Sequence, residues 1–335
     1  MKERITLNHG SGGRQTNELI RNLFASRFGM IEPLTDSAIL KKPEAALVFT
    51  TDAYVVDPVF FPGGNIGKLS VCGTVNDLAV SGARPEHIAC SFIIEEGFFL
   101  DDLRSIVDSM ADEAARAGVR IVTGDTKVVD KGKCDKIFIT TSGTGVIEKG
   151  REHIGSGSQV RAGDTLIING PVGNHSIAVL GARKDLSFST PVLSDCASLN
   201  HLTTGIMNKC SDIHFMRDLT RGGLAGVLNE LAGMTGKGII INESAVPVDE
   251  PVRGVCEMLG FDPLSLANEG KLLIVVSARA EKEILLALRS DPLGKDSAVI
   301  GKITDMYKNM VILKTVAGGS RILDMPSGVQ LPRIC

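Results

Sequence analysis

The sequence has few aromatic residues and no long apolar run. It contains no Trp and only two Tyr, and aromatic residues make up 4% of the chain, whereas Gly occurs 37 times. The core must therefore come from Val, Ile, Leu and Ala, and tight turns should be frequent. No stretch offers the ~18 uninterrupted apolar residues of a membrane helix, and the first ten residues lack the apolar run of a signal peptide. We expect a soluble, cytoplasmic protein.

An excess of charge of one sign is also lacking. The 36 basic and 39 acidic residues leave a net charge of -3. No overall field would attract nucleic acid or an anionic membrane, so we expect neither as a partner, and a small or protein-borne substrate fits better. A chain of 335 residues should form two domains, at roughly 150 residues per domain.

The seven cysteines are an odd number, and none of them forms a CxxC pair. A disulfide framework or a zinc site is therefore not expected. Cys72 and Cys90 have apolar neighbours, which is typical of buried structural thiols. Cys335 differs because it is the last residue of the sequence.

Apolar periodicity predicts helices over about 15–28, 67–83 and 101–118, and a strand over 45–54. The segment VRIVTGDTKVV is typical of a strand followed by a loop. Strands and helices alternate in both halves, with no G-x-G-x-x-G after a first strand. This pattern favours α+β domains, each a mixed sheet packed with helices, over a Rossmann domain.

A polar segment rich in Gly and Ser, at 148–165, is the best candidate for a linker. We therefore predict an N-terminal domain over 1–150, a C-terminal domain over 151–322 and a flexible tail over 323–335. Two prolines keep the tail from forming a helix.

Extended, the tail could span ~40 Å at ~3.3 Å per residue, enough to bring Cys335 to an active site. A frayed terminus is the alternative. Prenylation is excluded because its motif needs Cys four residues from the end. Arg333 is expected to favour the thiolate form of Cys335.

Acidic residues recur in loops beside apolar strands or small-residue helices. Any one of them alone is typical of a helix cap or a turn. Several carboxylates converging from different loops are what Mg²⁺ requires, together with waters and nucleotide phosphates. The sequence thus indicates a magnesium–nucleotide site, with these candidates: Asp36, Asp52, Asp77, Asp125 and Asp218.

Three glycine clusters, HGSGGR, FPGGNIGK and DLTRGGL, can bring backbone N–H groups close to phosphate oxygens. FPGGNIGKL is not a Walker A loop, because Pro62 replaces its first glycine and Leu69 its Ser or Thr. There is no G-x-S-x-G or H-E-x-x-H motif, so the sequence lacks the signatures of serine hydrolases and of zinc proteases.

The ordered set HGSGGR, TTDAYVVDP, FPGGNIGKLSVCGTVNDLAVSGARP, TGDTKVV, DLTRGGL, NEGKLL and PRIC resembles the HypE family of hydrogenase maturation, the carbamoyl dehydratases. The resemblance spans essentially the whole chain. It implies the two-domain fold of aminoimidazole ribonucleotide synthetase and selenophosphate synthetase, with a homodimer formed by the N-terminal domains. A selenophosphate synthetase would carry Cys or selenocysteine in the first glycine loop, which here has neither.

The resemblance also implies a reaction. A carbamoyl transferase loads a carbamoyl group onto Cys335, and ATP phosphorylates the carbamoyl oxygen. Phosphate then leaves with loss of the N–H protons, which produces a thiocyanate. Its cyanide passes to an iron-carrying maturation scaffold complex and becomes a ligand of nickel-iron hydrogenase.

By the same matching, Glu269 and Lys127 would remove the protons, and His9 would line the channel of the tail. The remaining roles are divided between Mg²⁺ and the ATP phosphates. Asp36, Asp52, Asp77 and Asp218 would hold Mg²⁺, and Gly12, Gly13, Lys68, Asn76 and Asp125 would line the phosphates.

Two other functions remain open. One is phosphoryl transfer to a small molecule, such as selenophosphate synthesis, in which Cys335 would be idle. The other is a non-catalytic scaffold that binds nucleotide and docks partners through its tail. Glu269 and Lys127 could likewise be surface charges or ion-pair partners.

Overall fold

Each half of the chain is built around its own β-sheet. A computed structural model describes the chain over residues 3–11, 13–30, 37–40, 43–183, 192–327 and 331–335. None of the helices in these ranges is long and apolar enough to cross a bilayer.

In the described part of the first half there are six strands: β1 (Ala46–Tyr54), β2 (Phe60–Phe61), β3 (Gly64–Asn65), β4 (Ala83–Glu95), β5 (Arg120–Val129) and β6 (Ile137–Ile147). Four of them form a sheet in the order β1-β6-β4-β5, and β2 pairs with β3 in a separate hairpin. Within the sheet only β4 and β5 are parallel. The sheet is therefore mixed, as predicted.

The helices of this half are α1 (Arg14–Leu19), α2 (Ser26–Phe28), α3 (Ile66–Val80) and α4 (Leu100–Ala117), with a π-helical segment, Ile20–Ala25, joining α1 to α2. The helices predicted near 67–83 and 101–118 are thus confirmed. Lys68 and Asp77 are the only residues of α3 that are not buried, and both belong to the predicted site. The helix packs closely on α4, because a Cβ on Gly67 would lie 2.3 Å from the Ile106 carbonyl oxygen.

The predicted loop after Asp125 is wrong, because β5 continues to Val129. The segment from Asp125 to Val129 pairs in parallel with Ser91–Glu95 of β4. The polar residues Asp125, Thr126 and Lys127, which follow a glycine, are typical of a loop, but the ladder hydrogen bonds to β4 keep the segment extended.

The second half, over the residues that the structure describes, contains seven strands: β7 (Thr165–Ile168), β8 (Ile213–Asp218), β9 (Gly238–Asn242), β10 (Leu272–Val276), β11 (Ala298–Thr304), β12 (Val311–Lys314) and β13 (Ser320–Ile322). They form one mixed sheet in the order β13-β12-β9-β11-β7-β10-β8, in which only β12 and β9 are parallel.

The described residues of this half form five helices: α5 (Asn174–Gly181), α6 (Asn200–Lys209), α7 (Gly223–Thr235), α8 (Glu250–Leu259) and α9 (Glu281–Arg289). Successive side chains of a strand point to opposite faces. Accordingly, Leu166 and Ile168 of β7 join the core under α7, and Ile167 joins the core under α6 and α9. The α+β fold class is confirmed.

The two halves are held together by Asn76 of α3. Its amide nitrogen donates to the carbonyls of Ala197 (3.0 Å) and Glu269 (3.3 Å), and its Oδ1 accepts from the Leu199 N–H (2.7 Å). Asn76 is 2% exposed. A buried amide with these three partners is costly to replace, so Asn76 fixes the position of the second half on α3.

The last five residues are docked between the two halves. From the first half, the N–H groups of Val55 and Asp57 donate to the carbonyls of Cys335 and Arg333, each at 3.1 Å. From the second half, Arg183 donates to the carbonyls of Pro332 and Arg333. The last residues of the tail, for which we predicted flexibility, are thus held by hydrogen bonds to both halves of their own chain.

Candidate active site

Three of the predicted metal-binding carboxylates converge, but the prediction that they lie in loops is wrong: Asp52 is in β1, Asp77 is in α3 and Asp218 is the last residue of β8. Burial, followed by the charge of Asp77, raises the pKa of Asp52 to about 6. Burial and the same neighbour raise the pKa of Asp218 to about 7. The hydroxyl of Thr50 donates to Asp77 at 2.9 Å, and that of Thr74 donates to Asp52 at 3.1 Å. Asp77 therefore disfavours ionisation of both Asp52 and Asp218 in a partly desolvated pocket.

Over the ranges that the structure describes, no group of three or more His, Cys, Asp or Glu side chains is arranged as ready-made metal ligands. The fourth predicted ligand, Asp36, and the glycine-loop residue Gly12 lie outside the described residues.

Glu269 is a buried carboxyl facing this cluster. It is 3% exposed, and its pKa is raised well above the usual range by burial and then by Asp218, Asp195, Asp52 and Asp77. Its Oε1 atom is buried and has no hydrogen-bond partner among the described residues. A buried polar atom without a partner is costly, so its presence marks Glu269 as a candidate for chemistry.

Asp195, which the sequence analysis missed, holds the chain at Glu269. Its carboxylate accepts from the N–H groups of Glu269 (3.3 Å) and Gly270 (3.1 Å). A Cβ on Gly270 would lie 1.9 Å from the Asp195 carbonyl oxygen, so only glycine fits there. The sequence LSDCAS around Asp195 has the same pattern as the other candidates, an acidic residue beside small ones, and could have identified it.

Cys335 reaches the same place through the docked tail. Burial, and then the charge of Glu269, raise the pKa of its thiol to about 12, with a further contribution from Asp52. The cation that lowers this pKa is Arg221, in the loop before α7. Arg333 instead donates to the Val55 carbonyl at 2.8 Å and pairs with Asp135. The docked thiol is therefore protonated, contrary to the expectation from Arg333.

Lys127 is not joined to Glu269. Its ammonium group pairs with Asp125 at 2.8 Å on β5, where the two side chains are 65% and 63% exposed. Among the described residues, no hydrogen bond or ion pair links Lys127 to Glu269. The predicted pair of proton acceptors is thus not assembled in this structure.

The other predicted site residues have local partners. Lys68 donates to the Gly63 carbonyl at 3.2 Å, and Gly13 lies before the first turn of α1. The Nδ1 atom of His9 accepts from the Thr6 N–H at 3.1 Å. His9 lines a cavity of about 170 Å³ beside α1 and α4, and no recorded contact joins it to the described part of the tail.

The raised carboxyl pKa values predict a stability change with pH. A carboxyl whose pKa is raised by folding keeps its proton at pH values where the unfolded chain has lost it. Its contribution to the free energy of unfolding is therefore complete below the unfolded pKa of 3.8 and is lost as pH rises through the folded pKa. For Asp218 this window runs from about 4 to about 7. We expect Asp218→Asn to raise the unfolding midpoint by ~2–4 °C at pH 8 and by little at pH 4.

Thermal unfolding with a chelator present at pH 4, 6 and 8 measures this difference. A wild-type chain whose stability relative to Asp218→Asn is the same at all three pH values would contradict the assignment. Asp212→Asn is a matched control, because Arg279 and Ser277 lower the pKa of that half-buried carboxyl. The control should lose stability at pH 8 where the Asp218 variant gains it.

Comparison with known proteins gives the family. Residues 34–147 match the N-terminal domain, and residues 161–314 the C-terminal domain, of AIR synthase related protein. The chain is 51% identical to carbamoyl dehydratase HypE of Rhodobacter capsulatus, over 99% of this chain and 98% of that protein.

Two solved structures are similar over most of their lengths. A crystal structure of hydrogenase maturation protein HypE in complex with ATP is 45% identical, with a TM-score of 0.93, over 98% of this chain and 99% of that one. HypE in a HypE–HypF complex is 46% identical, with a TM-score of 0.80, over 92% and 99%. The chain therefore belongs to the AIR synthase related proteins and, among them, to the carbamoyl dehydratase HypE family of hydrogenase maturation.

Proposed function

We propose that this chain uses ATP to dehydrate a carbamoyl group carried on Cys335 to a thiocyanate. The observation that supports this best is the position of the Cys335 thiol, close enough to the buried Glu269 and to Asp52 for both to raise its pKa. The relative solved with ATP supports the choice of nucleotide.

The chemistry requires an activated oxygen and a proton acceptor. The carbamoyl oxygen attacks the terminal phosphorus of ATP and ADP leaves, which turns a poor leaving group into a phosphate. One N–H proton is lost, the C–O bond breaks with departure of phosphate, and loss of the second proton completes the C≡N bond. Each proton needs a positioned base, and Glu269 is the buried carboxyl next to the carrier sulfur.

Asp52, Asp77 and Asp218 fit a divalent cation, because they are carboxyl groups gathered in a pocket where burial raises the pKa of each. Mg²⁺ bound there would neutralise phosphate charge. Carboxyls that raise one another's pKa ionise more readily beside a cation. The same effect would lower the pKa of Glu269, which is raised by Asp218, Asp52 and Asp77. We include Asp36 in the proposed metal set on the resemblance alone.

Phosphate contacts are proposed for residues around this pocket. Arg221, which the sequence analysis missed, is exposed and lies close enough to Asp52 and Cys335 to shift both pKa values. Lys68 is the half-buried cation of α3. On the resemblance we add Gly12, Gly13 and Asp125 as phosphate contacts, while the Asn76 amide is already engaged in joining the halves.

Lys127 and His9 are proposed at the edge of the site. Lys127 can assist proton removal only if its ion pair with Asp125 opens. A nucleotide phosphate that displaced Asp125 from Lys127 would open it. His9 belongs to the first glycine loop, which a bound nucleotide would have to contact if Gly12 and Gly13 line its phosphates.

The partners follow from the proposed chemistry. A relative solved in a HypE–HypF complex supports a transferase that loads Cys335, and we propose an iron-carrying scaffold complex as the cyanide acceptor. The first sheet exposes Leu47 (60%), Phe49 (65%) and Ile93 (43%). Such an apolar face supports a homodimer through the N-terminal domains. Seven free thiols fit a reducing, cytoplasmic location.

The test is to incubate carbamoylated protein with MgATP, measure ADP and weigh the C-terminal peptide. We expect ADP release together with loss of the mass of one water at Cys335. Protein without the carbamoyl group is the control and should release little ADP. ADP release with no change in mass would favour phosphoryl transfer to another acceptor, and binding of ATP without any release would favour a scaffold.

A further inference from the structure

His175 is a fully buried histidine that contacts the tail. It lies in the first turn of α5, with 0% of its surface exposed. Its Nε2 atom is 2.8 Å from the carbonyl oxygen of Ile334, the residue before the carrier cysteine. Its Nδ1 atom is 2.8 Å from the hydroxyl oxygen of Ser194. The ring edge also meets the ring of Phe61 at a centroid distance of 5.4 Å.

The partners of His175 determine where its proton lies. A carbonyl can only accept, so Nε2 must carry the hydrogen that is donated to Ile334. Burial lowers the pKa of His175, so the ring is neutral and Nδ1 is an acceptor. The Ser194 oxygen accepts from the Cys196 N–H at 3.1 Å, which leaves its own hydrogen free to donate to Nδ1. Ser194 therefore orients the ring and selects its tautomer.

The last residues of the tail are held from two sides. His175, from the second half, binds the carbonyl of Ile334, while the Val55 N–H, from the first half, donates to the carbonyl of Cys335. The Ile334 side chain is 5% exposed and belongs to the core of the first half. Cys335 has little freedom left once these contacts form.

We propose that His175 is a positioning residue for the carrier tail, whose Nε2–H holds the Ile334 carbonyl so that the Cys335 sulfur is presented to Glu269. The hydrogen bond from His175 to the Ile334 carbonyl does not depend on the proposed function; only its effect on turnover rests on that function. Fixing a reacting group in place removes much of the entropic cost of reaction. Loading by a separate transferase requires a released tail, because Cys335 must leave the site to reach the transferase. The hydrogen bond to His175 must then break.

Two substitutions test the roles of the two ring nitrogens of His175 separately. In His175→Gln the terminal amide can stand where Nε2 stands and donate to the Ile334 carbonyl. In His175→Asn the shorter amide can stand where Nδ1 stands and keep the contact with Ser194, but it cannot reach the tail. The pair thus preserves a polar side chain in both variants and removes the tail contact in only one.

The first readout is alkylation of Cys335 by iodoacetamide in the full-length protein, followed by mass spectrometry of the C-terminal peptide. The docked thiol is half-buried and its pKa is raised to about 12, so it holds little of the reactive thiolate, and its alkylation rate reports how often the tail opens. We expect ~10-fold faster alkylation in His175→Asn and nearly the wild-type rate in His175→Gln, since a buried acceptor left without its donor is costly. Cys210, half-buried on α6, is the internal control and should react equally in all three proteins.

Equal rates at Cys335 in the Asn, Gln and wild-type proteins would overturn the proposal. If the Asn variant does not fold, as shown by faster labelling of Cys210, Ser194→Ala replaces it. That variant keeps His175 and removes the group that orients it, so we expect ~3-fold faster labelling of Cys335. No change there would also overturn the proposal.

The second readout is single-turnover dehydration of carbamoylated protein. We expect His175→Asn to slow this step by ~10-fold at unchanged ATP dependence, with His175→Gln restoring most of the rate and with loading as fast as in wild type or faster. A general folding defect would slow loading as well. If the wild-type protein does not dehydrate at all, the proposed function fails, and the labelling result still decides the role of His175.

Discussion

Cys335→Ala is expected to abolish turnover completely, because it removes the sulfur that carries the carbamoyl group. With a carbamoyl donor and transferase present, no ADP should form above the background without donor. The carboxylates and α3 are unchanged, so ATP binding should be retained. The measurement is ADP release beside an independent measurement of nucleotide binding.

A matched control is Cys210→Ala. Cys210 is also a half-buried free thiol, but it lies at the end of α6. It should keep wild-type turnover. Full activity in Cys335→Ala, or in a chain shortened by its last four residues, would instead support phosphoryl transfer to a small molecule with the cysteine idle.

Local patterns in the sequence predicted the elements that depend on local periodicity. Helix α4 has a buried stripe of Leu103, Ile106 and Met110 at helical spacing, and this period alone predicts it. The end of β5 was predicted as a loop because its extended form depends on pairing with β4, about 34 residues earlier in the chain. Pairing of that kind leaves no signal within the strand itself.

The same distinction applies to the site. Carboxylates beside small residues were predicted to converge, and Asp52, Asp77 and Asp218 do lie close enough to shift one another's pKa. His175 gave no signal, since its role depends on the Ile334 carbonyl 159 residues later in the chain. The engagement of Asn76 with both Leu199 and Glu269 is likewise visible only once the two halves are packed.

Glu269→Gln is expected to reduce the rate of dehydration by more than ~100-fold, the usual size of a general-base contribution. The amide keeps the volume of the carboxyl but cannot take a proton from the carbamoyl nitrogen. Carbamoylated Cys335 should therefore accumulate in the presence of MgATP and the transferase, and the mass of the C-terminal peptide measures it.

Stability distinguishes this effect from damage to the fold. The pKa of Glu269 is raised well above its usual range, chiefly by burial, so the fold disfavours its charged form, and a neutral amide should leave the unfolding midpoint unchanged or higher. Glu113→Gln is the contrasting control. Glu113 is also buried, but its Oε1 accepts from the Ser198 hydroxyl at 2.7 Å and from the Ser198 N–H at 3.2 Å.

The control should lose ~1–2 kcal/mol of stability, because a neutral amide that keeps both Ser198 bonds turns its nitrogen toward Arg116 and loses the ion pair that Oε2 makes there at 3.6 Å, yet it should still dehydrate its carrier. Opposite outcomes in the two variants, a stable protein without chemistry and a less stable one with it, would identify Glu269 as a group that acts on the substrate. If Glu269→Gln instead dehydrates at the wild-type rate, the proton must go to another acceptor, and the pair of Lys127 and Asp125 would be the next candidate.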